Sequence, residues 1–361
     1  MESTIGSDLR VLVVGAGLAG LATALALHRR GIGVELVERQ RRWEDGGAGL
    51  FLPANAVRAL GHLGLDAPGR PVRRQRLHDR NGRRLADLDV SRIWPGMGDS
   101  VGVHRASLHR VLRRAARDIP VRMGTTVQSI RDGDAPLVHA SDGSRRTYHL
   151  VIGADGVHSA VRDLVFGGPR AEPVGQMCWR FVVRGRPDII DWNAWLGPRR
   201  SFLAVALEDD QVYCYADIAQ PETPDWRAEF AGFAEPVGSL IAAAGVVHRA
   251  PIEQVAPPTW IAHRVLLVGD AAHASPPNMA QGAAMSFEDA LVLAELLSAA
   301  PLTEALTEYE RRRTPRATWV QQQARERDRT RTMPSFARNT ILRIAAPRLF
   351  ARSYRPLLAP P

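Results

Sequence analysis

No lysine occurs anywhere in the 361 residues, so all 47 basic side chains are arginine. That absence excludes Schiff-base chemistry and a lysine general base. Guanidinium keeps its proton at any accessible pH, which accounts for a net charge of +9 and a sequence pI near 10.6 without a dedicated polyanion site. The arginines are dispersed and no nucleic-acid motif accompanies them, so no nucleic-acid partner is expected. Cysteine is nearly missing: Cys178 and Cys214 have no metal-type spacing, which removes zinc and iron–sulfur readings and leaves a disulfide open. Long apolar runs are missing too. The first is broken by Gly15, Gly17 and Gly20 and follows no basic region, so it reads as neither an export signal nor a membrane span, and the cytoplasm is the default location.

What is present suits a soluble globular chain, 45% hydrophobic and 24% charged, long enough for about two domains of roughly 150 residues each. Val11 to Val14 fits a buried strand, Leu18 to Arg30 a helix stopped by Gly31, and Val34 to Val37 a second strand. The turn of this βαβ unit reads Gly15-Ala16-Gly17-Leu18-Ala19-Gly20, a dinucleotide fingerprint. In it Gly15 permits the tight turn, Gly17 lets backbone approach a pyrophosphate, Gly20 allows close packing, and Leu18 and Ala19 open the helix whose N–H groups face the anion. Glu38, followed by Arg39, sits where an acid bonds ribose hydroxyls. A carboxylate there repels a 2′-phosphate, so the nucleotide is FAD or NAD, and a ligand-free glycine turn is the competing reading.

Two later stretches repeat the strand-then-turn form. Leu150-Val151-Ile152 runs into Gly153-Ala154-Asp155-Gly156 and on through Ser159 to Arg162. Arg264 to Val268 runs into Gly269-Asp270-Ala271-Ala272-His273, then Pro276-Pro277, Gln281-Gly282-Ala283 and Phe287-Glu288-Asp289-Ala290 before a helical run. Asp155 can accept from ribose or backbone donors, and Arg162 can pair with a phosphate or brace Asp155.

With these residues the chain resembles the class A FAD-dependent aromatic monooxygenases, the family related to para-hydroxybenzoate hydroxylase, from about Leu9 to Arg331. The resemblance implies a Rossmann-like α/β FAD-binding domain, a mainly antiparallel β-sheet substrate domain and C-terminal helices. It implies that Asp155 and Arg162 assist FAD and nicotinamide binding, that Asp270 bonds the ribityl chain, and that Pro277, Gly282 and Ala283 lie at the helix start facing the isoalloxazine. Gly49, in a flavin-edge strand before Asn55, and Arg105, against flavin and pyrophosphate, complete the cofactor set. Ala280 departs from the family, which often has glycine there, and His273 is expected to serve packing before catalysis.

The expected division is residues 1–75 with 98–173 and 262–330 for the FAD-binding domain, 76–97 with 174–261 for the substrate domain, and 331–361 as a C-terminal helical segment. Alternating segments from Cys178 to Val183, Ser201 to Leu207 and Gln211 to Asp217 suit the antiparallel sheet. Arg200, Phe202, Tyr213 and Tyr215 are the candidate pocket residues, with Trp179, Arg180 and Phe181 equally plausible. Ser335 to Leu358 alternates apolar residues with arginines; it reads as an ordinary docked helix, with membrane-surface binding the lesser alternative.

The activity implied by the resemblance is reduction of bound FAD by transient NADH or NADPH, then hydroxylation or epoxidation of an aromatic or heteroaromatic small molecule with O2 through a flavin C4a-hydroperoxide. No metal is needed, and a monomer or homodimer is expected. An FAD-dependent oxidoreductase without oxygen insertion and a non-catalytic flavin-binding protein stay open. Flavin halogenases are disfavoured by the missing lysine and by Trp192-Asn193-Ala194-Trp195-Leu196-Gly197-Pro198, whose tryptophans have the wrong spacing.

Overall fold

The computed structural model describes residues 9–361 apart from 45, 132, 169, 220 and 222–224; residues 1–8 of the expected FAD-binding domain thus lie outside it. The βαβ unit forms as β1 (Arg10–Val14), α1 (Leu18–His28) and β2 (Gly33–Glu38). β1 is the centre of a six-stranded sheet. It pairs in parallel with β2 on one side and with Leu150–Gly153 on the other, which pairs in turn with Val265–Leu267. All three motif turns therefore leave the same edge of one parallel sheet, at the carboxyl ends of neighbouring strands, where doubly wound sheets place ligands.

A seven-stranded sheet takes the order 248–254, 172–183, 212–219, 200–206, 192–197, 74–79, 84–89, antiparallel except where 192–197 runs parallel to 74–79. It is buried on both faces. Cys178, Ala194, Val205, Tyr213 and Tyr215 join the large core shared with the parallel sheet. Trp179, Phe181, Trp195, Phe202, Cys214 and Ala216 join a second core closed by Trp226, Phe230, Val237 and Leu240. The two cysteines are free and on opposite faces, so no disulfide joins them.

A small antiparallel sheet of 49–52, 100–104 and 70–72 couples the two larger ones. The junction depends on missing side chains: a Cβ at Gly49 would stand 2.3 Å from the Tyr213 Cβ, and one at Gly102 would stand 2.3 Å from the Ala206 carbonyl oxygen. Helices Gly282–Ala299 and Leu302–Arg329 pack over the nucleotide side, and Ser335–Tyr354 follows as a C-terminal helix. The long helix after the third motif starts at Gly282, ahead of the Phe287 to Ala290 stretch that the sequence reading placed before it.

Candidate active site

Within the fingerprint turn the three glycines have different causes. Gly15 has φ +101°, and a Cβ there would lie 2.6 Å from the Ala154 carbonyl oxygen; one at Gly20 would lie 1.8 Å from the Gly15 oxygen. The fold itself requires both. A Cβ at Gly17 would meet nothing within 4 Å, and Gly17 has φ −74°, so no protein neighbour accounts for glycine there. Leu18 and Ala19 are half-buried in the first turn of α1. Glu38 ends β2 with one carboxylate oxygen accepting from Ala16 N at 2.8 Å and the other from Gln40 N at 2.9 Å, which fixes its orientation and leaves further lone pairs. Arg39 is exposed beside it.

A histidine that the sequence reading passed over supports this turn. Burial holds the His109 imidazole below its ordinary pKa, and Nε2 lies 2.9 Å from the Ala16 carbonyl oxygen. Only its place on the helix Arg105–Ala115, which packs on α1, brings it there.

At the second motif Asp155 Oδ2 accepts from Val161 N at 3.1 Å, while Oδ1 is buried with no hydrogen-bond partner. Burial raises its pKa, partly countered by hydrogen bonds from Ser159 and Val161. Arg162 is 1% exposed and donates to the Ala271 oxygen at 3.0 Å and the Val157 oxygen at 2.7 Å. It thus fastens the second turn to the third.

At the third motif Gly269 has φ +59°, and a Cβ there would stand 2.8 Å from Ala19 Cβ, so α1 and this turn are in close contact. Asp270 presents accessible surface, yet onto a recess: burial by surrounding protein raises its pKa, opposed by His273, Arg105 and Arg180. Arg105 shares the recess, its pKa lowered by burial and by Arg180 and lifted by Asp270. Its side chain passes Gly47, where a Cβ would lie 3.3 Å away. Gly282, exposed at the N-terminus of its helix, is close enough that a Cβ would be 3.9 Å from Asp270 Oδ1; Ala283 is half-buried behind it and Pro277 exposed in the preceding turn. Ala280 adopts left-handed φ 53°, ψ 31°, the conformation glycine favours, so alanine keeps the loop's shape at the cost of strain.

His273 is buried and tied to a carboxylate. Its Nε2 lies 2.7 Å from Asp289 Oδ2, which also accepts from Gly269 N, and Arg313 bonds Asp289 at 2.8 Å and Glu288 at 2.9 Å. Burial alone would raise the Asp289 pKa, but His273 and Arg313 reverse this and hold it far below the ordinary carboxylate range. Asn55 donates to Gln281 at 2.9 Å inside the same buried group and is not the cap of its helix.

The four pocket candidates divide between the two faces of the large sheet. Tyr213 pairs with Val182 and Tyr215 with Arg180, all four facing the nucleotide side. Arg200 and Phe202 point the other way: Phe202 is fully buried among aromatics, and Arg200 is 2.6 Å from the buried carboxylate of Glu229. They do not line one pocket with the tyrosines. Arg180, which the sequence placed on a par with its neighbours, is the residue of the three whose charge acts on both Asp270 and Arg105. Its Nε is buried without a hydrogen-bond partner, and so is the Tyr215 hydroxyl across the strand pair. Two other cavities, of about 700 Å³ near Trp319 and about 560 Å³ near Trp195, lie away from these residues.

Comparison with known proteins identifies the family and the fold. Residues 8–183 and 244–324 match the family described as the FAD binding domain. The chain is 32% identical to the 2-heptyl-3-hydroxy-4(1H)-quinolone synthase of Pseudomonas aeruginosa, over 88% of each chain. It is 32% identical to the 3-amino-4-hydroxybenzoate 2-monooxygenase of Streptomyces cremeus, over 89% of this chain and 87% of that one. Its fold matches that of a Klebsiella pneumoniae protein crystallised with FAD and uric acid, with a TM-score of 0.89 and 28% identity over 99% of this chain and 98% of that one.

Proposed function

The chain belongs to the FAD binding domain family and is an FAD-dependent aromatic monooxygenase using NAD(P)H and O2, and on that premise we propose that its substrate is a planar aromatic or heteroaromatic compound whose ionised oxygen is held by Arg180. The observation that carries this is a guanidinium nitrogen, Arg180 Nε, buried without a hydrogen-bond partner on a side chain whose charge acts on both Asp270 and Arg105. Leaving such a group unsatisfied is costly, and an anionic planar ligand satisfies it.

Features of this chain fit FAD. Space beyond Gly17 is open, Asp155 has a buried oxygen without a donor, and Glu38 keeps acceptor capacity. When bound, FAD supplies hydride acceptance from the nicotinamide and activation of O2. The protein's share is placement. The N-terminus of α1 would hold the pyrophosphate, Glu38 the ribose, and Asp270 and Arg105 the polar stretch between the nucleotide and the ring. The N-terminus of Gly282–Ala299, next to Asp270, would favour negative charge on a ring bound there. Arg180 orients the substrate and stabilises its oxyanion, which makes the ring carbon electron-rich. The sheet membership of 74–79, 84–89 and 172–254 supports a substrate part close to the expected 76–97 with 174–261.

The test is a panel of phenols and hydroxy-heterocycles beside their methyl ethers, scored by substrate-stimulated NAD(P)H oxidation and a product one oxygen heavier. The hydroxy compounds are expected to stimulate and the ethers not. Equal turnover of both would remove the oxyanion from the proposal while leaving the hydroxylase in place.

A further inference from the structure

The helix Ser335–Tyr354 is anchored by one face and displays another. Beneath it Arg338 donates to the Gly197 oxygen at 2.9 Å, Ala346 is fully buried, and Tyr354 packs on Trp94 with ring centroids 4.9 Å apart. Its outer face is apolar where a monomer's surface is usually polar. Of seven large hydrophobic side chains exposed among the described residues, four fall on this single helix: Phe336 at 77%, Ile344 at 75%, and Ile341 and Leu349 at 42% each. At helical spacing Phe336, Ile341 and Ile344 share one outward stripe, interleaved with exposed Arg348 and Arg352 on one side and bounded by exposed Arg343 on the other. From residue 329 to the last there are seven arginines and no acidic residue.

We propose that this face docks on an anionic lipid bilayer, with Phe336, Ile341 and Ile344 entering the headgroup boundary while Arg343, Arg348 and Arg352 pair with phosphates. Apolar side chains flanked by cations of one sign suit such a surface. Charge also argues against the main competitor. A second copy related by a two-fold axis would set arginines against arginines on a helix that has no acid to answer them. Among the described residues no helix is long and apolar enough to cross a membrane, so the contact is one of lying on the surface. Nothing in this inference depends on the substrate proposed above.

The test uses the full flavin-loaded protein in pelleting assays with phosphatidylcholine vesicles, with and without phosphatidylglycerol. Binding is expected only with phosphatidylglycerol and is expected to weaken as salt rises. Replacing Phe336 and Ile344 together by serine, or Arg343, Arg348 and Arg352 together by glutamine, is expected to lower the partition coefficient by about tenfold or more, with flavin content unchanged. Serine at Ile190 and Val246, exposed hydrophobics elsewhere, should leave it unchanged. Absence of binding to phosphatidylglycerol vesicles overturns the proposal, as does binding indifferent to the helix substitutions. A concentration-dependent dimer that the serine pair dissociates, with no vesicle binding, would assign the face to a second copy instead.

Discussion

Arg313 and Arg180 are both enclosed by protein, under opposite conditions. Arg313 is fully buried and saturated: its nitrogens reach Asp289, Glu288 and the Met285 carbonyl oxygen. Burial would lower its pKa, and Asp289 and Glu288 more than reverse that. Arg180 is half-buried with one nitrogen unsatisfied, and the second arginine of its recess, Arg105, has its pKa pulled down by burial and by Arg180 itself. Two like charges gathered around Asp270 make a place for an anion, whereas one charge matched by two carboxylates makes a joint between helices. Proximity to the motifs does not distinguish them, since both lie within reach of the third turn; the count of partners does.

The largest expected effect comes from breaking the joint. Arg313→Met leaves Asp289 buried without its arginine, while Glu288 keeps Arg316, and should cost about 3–5 kcal/mol in denaturant unfolding. The same network sets an acid limb. Because the folded pKa of Asp289 is depressed, its contribution is complete above the ordinary carboxylate range near ~4 and is lost as pH falls below it, so Asp289→Asn should flatten the loss of stability there.

Next in size, Arg200→Ala removes the 2.6 Å ion pair to the buried Glu229 carboxylate behind the sheet and should lower stability by about 2–3 kcal/mol while KM stays at the wild-type value. A raised KM with unchanged stability would return Arg200 to the pocket. Arg180→Gln should do the reverse, raising KM about 10- to 100-fold with flavin content and melting temperature near the wild-type values, because it removes a hydrogen bond to a charged ligand worth about 1.5–3 kcal/mol and, within the fold, only a weak contact with the Cys178 thiol. Smallest is Ala280→Gly, which should stabilise by about 1 kcal/mol by relieving a left-handed alanine; a melting temperature that falls instead would show that the methyl group packs usefully.

The three turns could be read from sequence because their causes are local: a positive φ at Gly15, contact of Gly20 with the turn behind it, and a short apolar strand before each. Where the causes are distant, the reading stopped short. Asp289 lies 24 residues from Arg313 and 16 from His273, and nothing in the pattern of either helix shows that they meet. The split of the pocket candidates has another origin. Strands buried on both faces lose polar alternation, so Phe202 and Tyr213 look alike until the pairing of Phe202 with Ala216 and of Val205 with Tyr213 reveals which way each points. Arg180 stood out only once its neighbours were known.

The aromatic packing behind the large sheet has a consequence for descent. Since Trp179, Phe181, Phe202 and Trp226 secure the sheet from the rear, alternate positions in front can change without disturbing its foundation. Related enzymes could in this way drift toward new ring systems one side chain at a time, exploring chemistry on a platform that stays put.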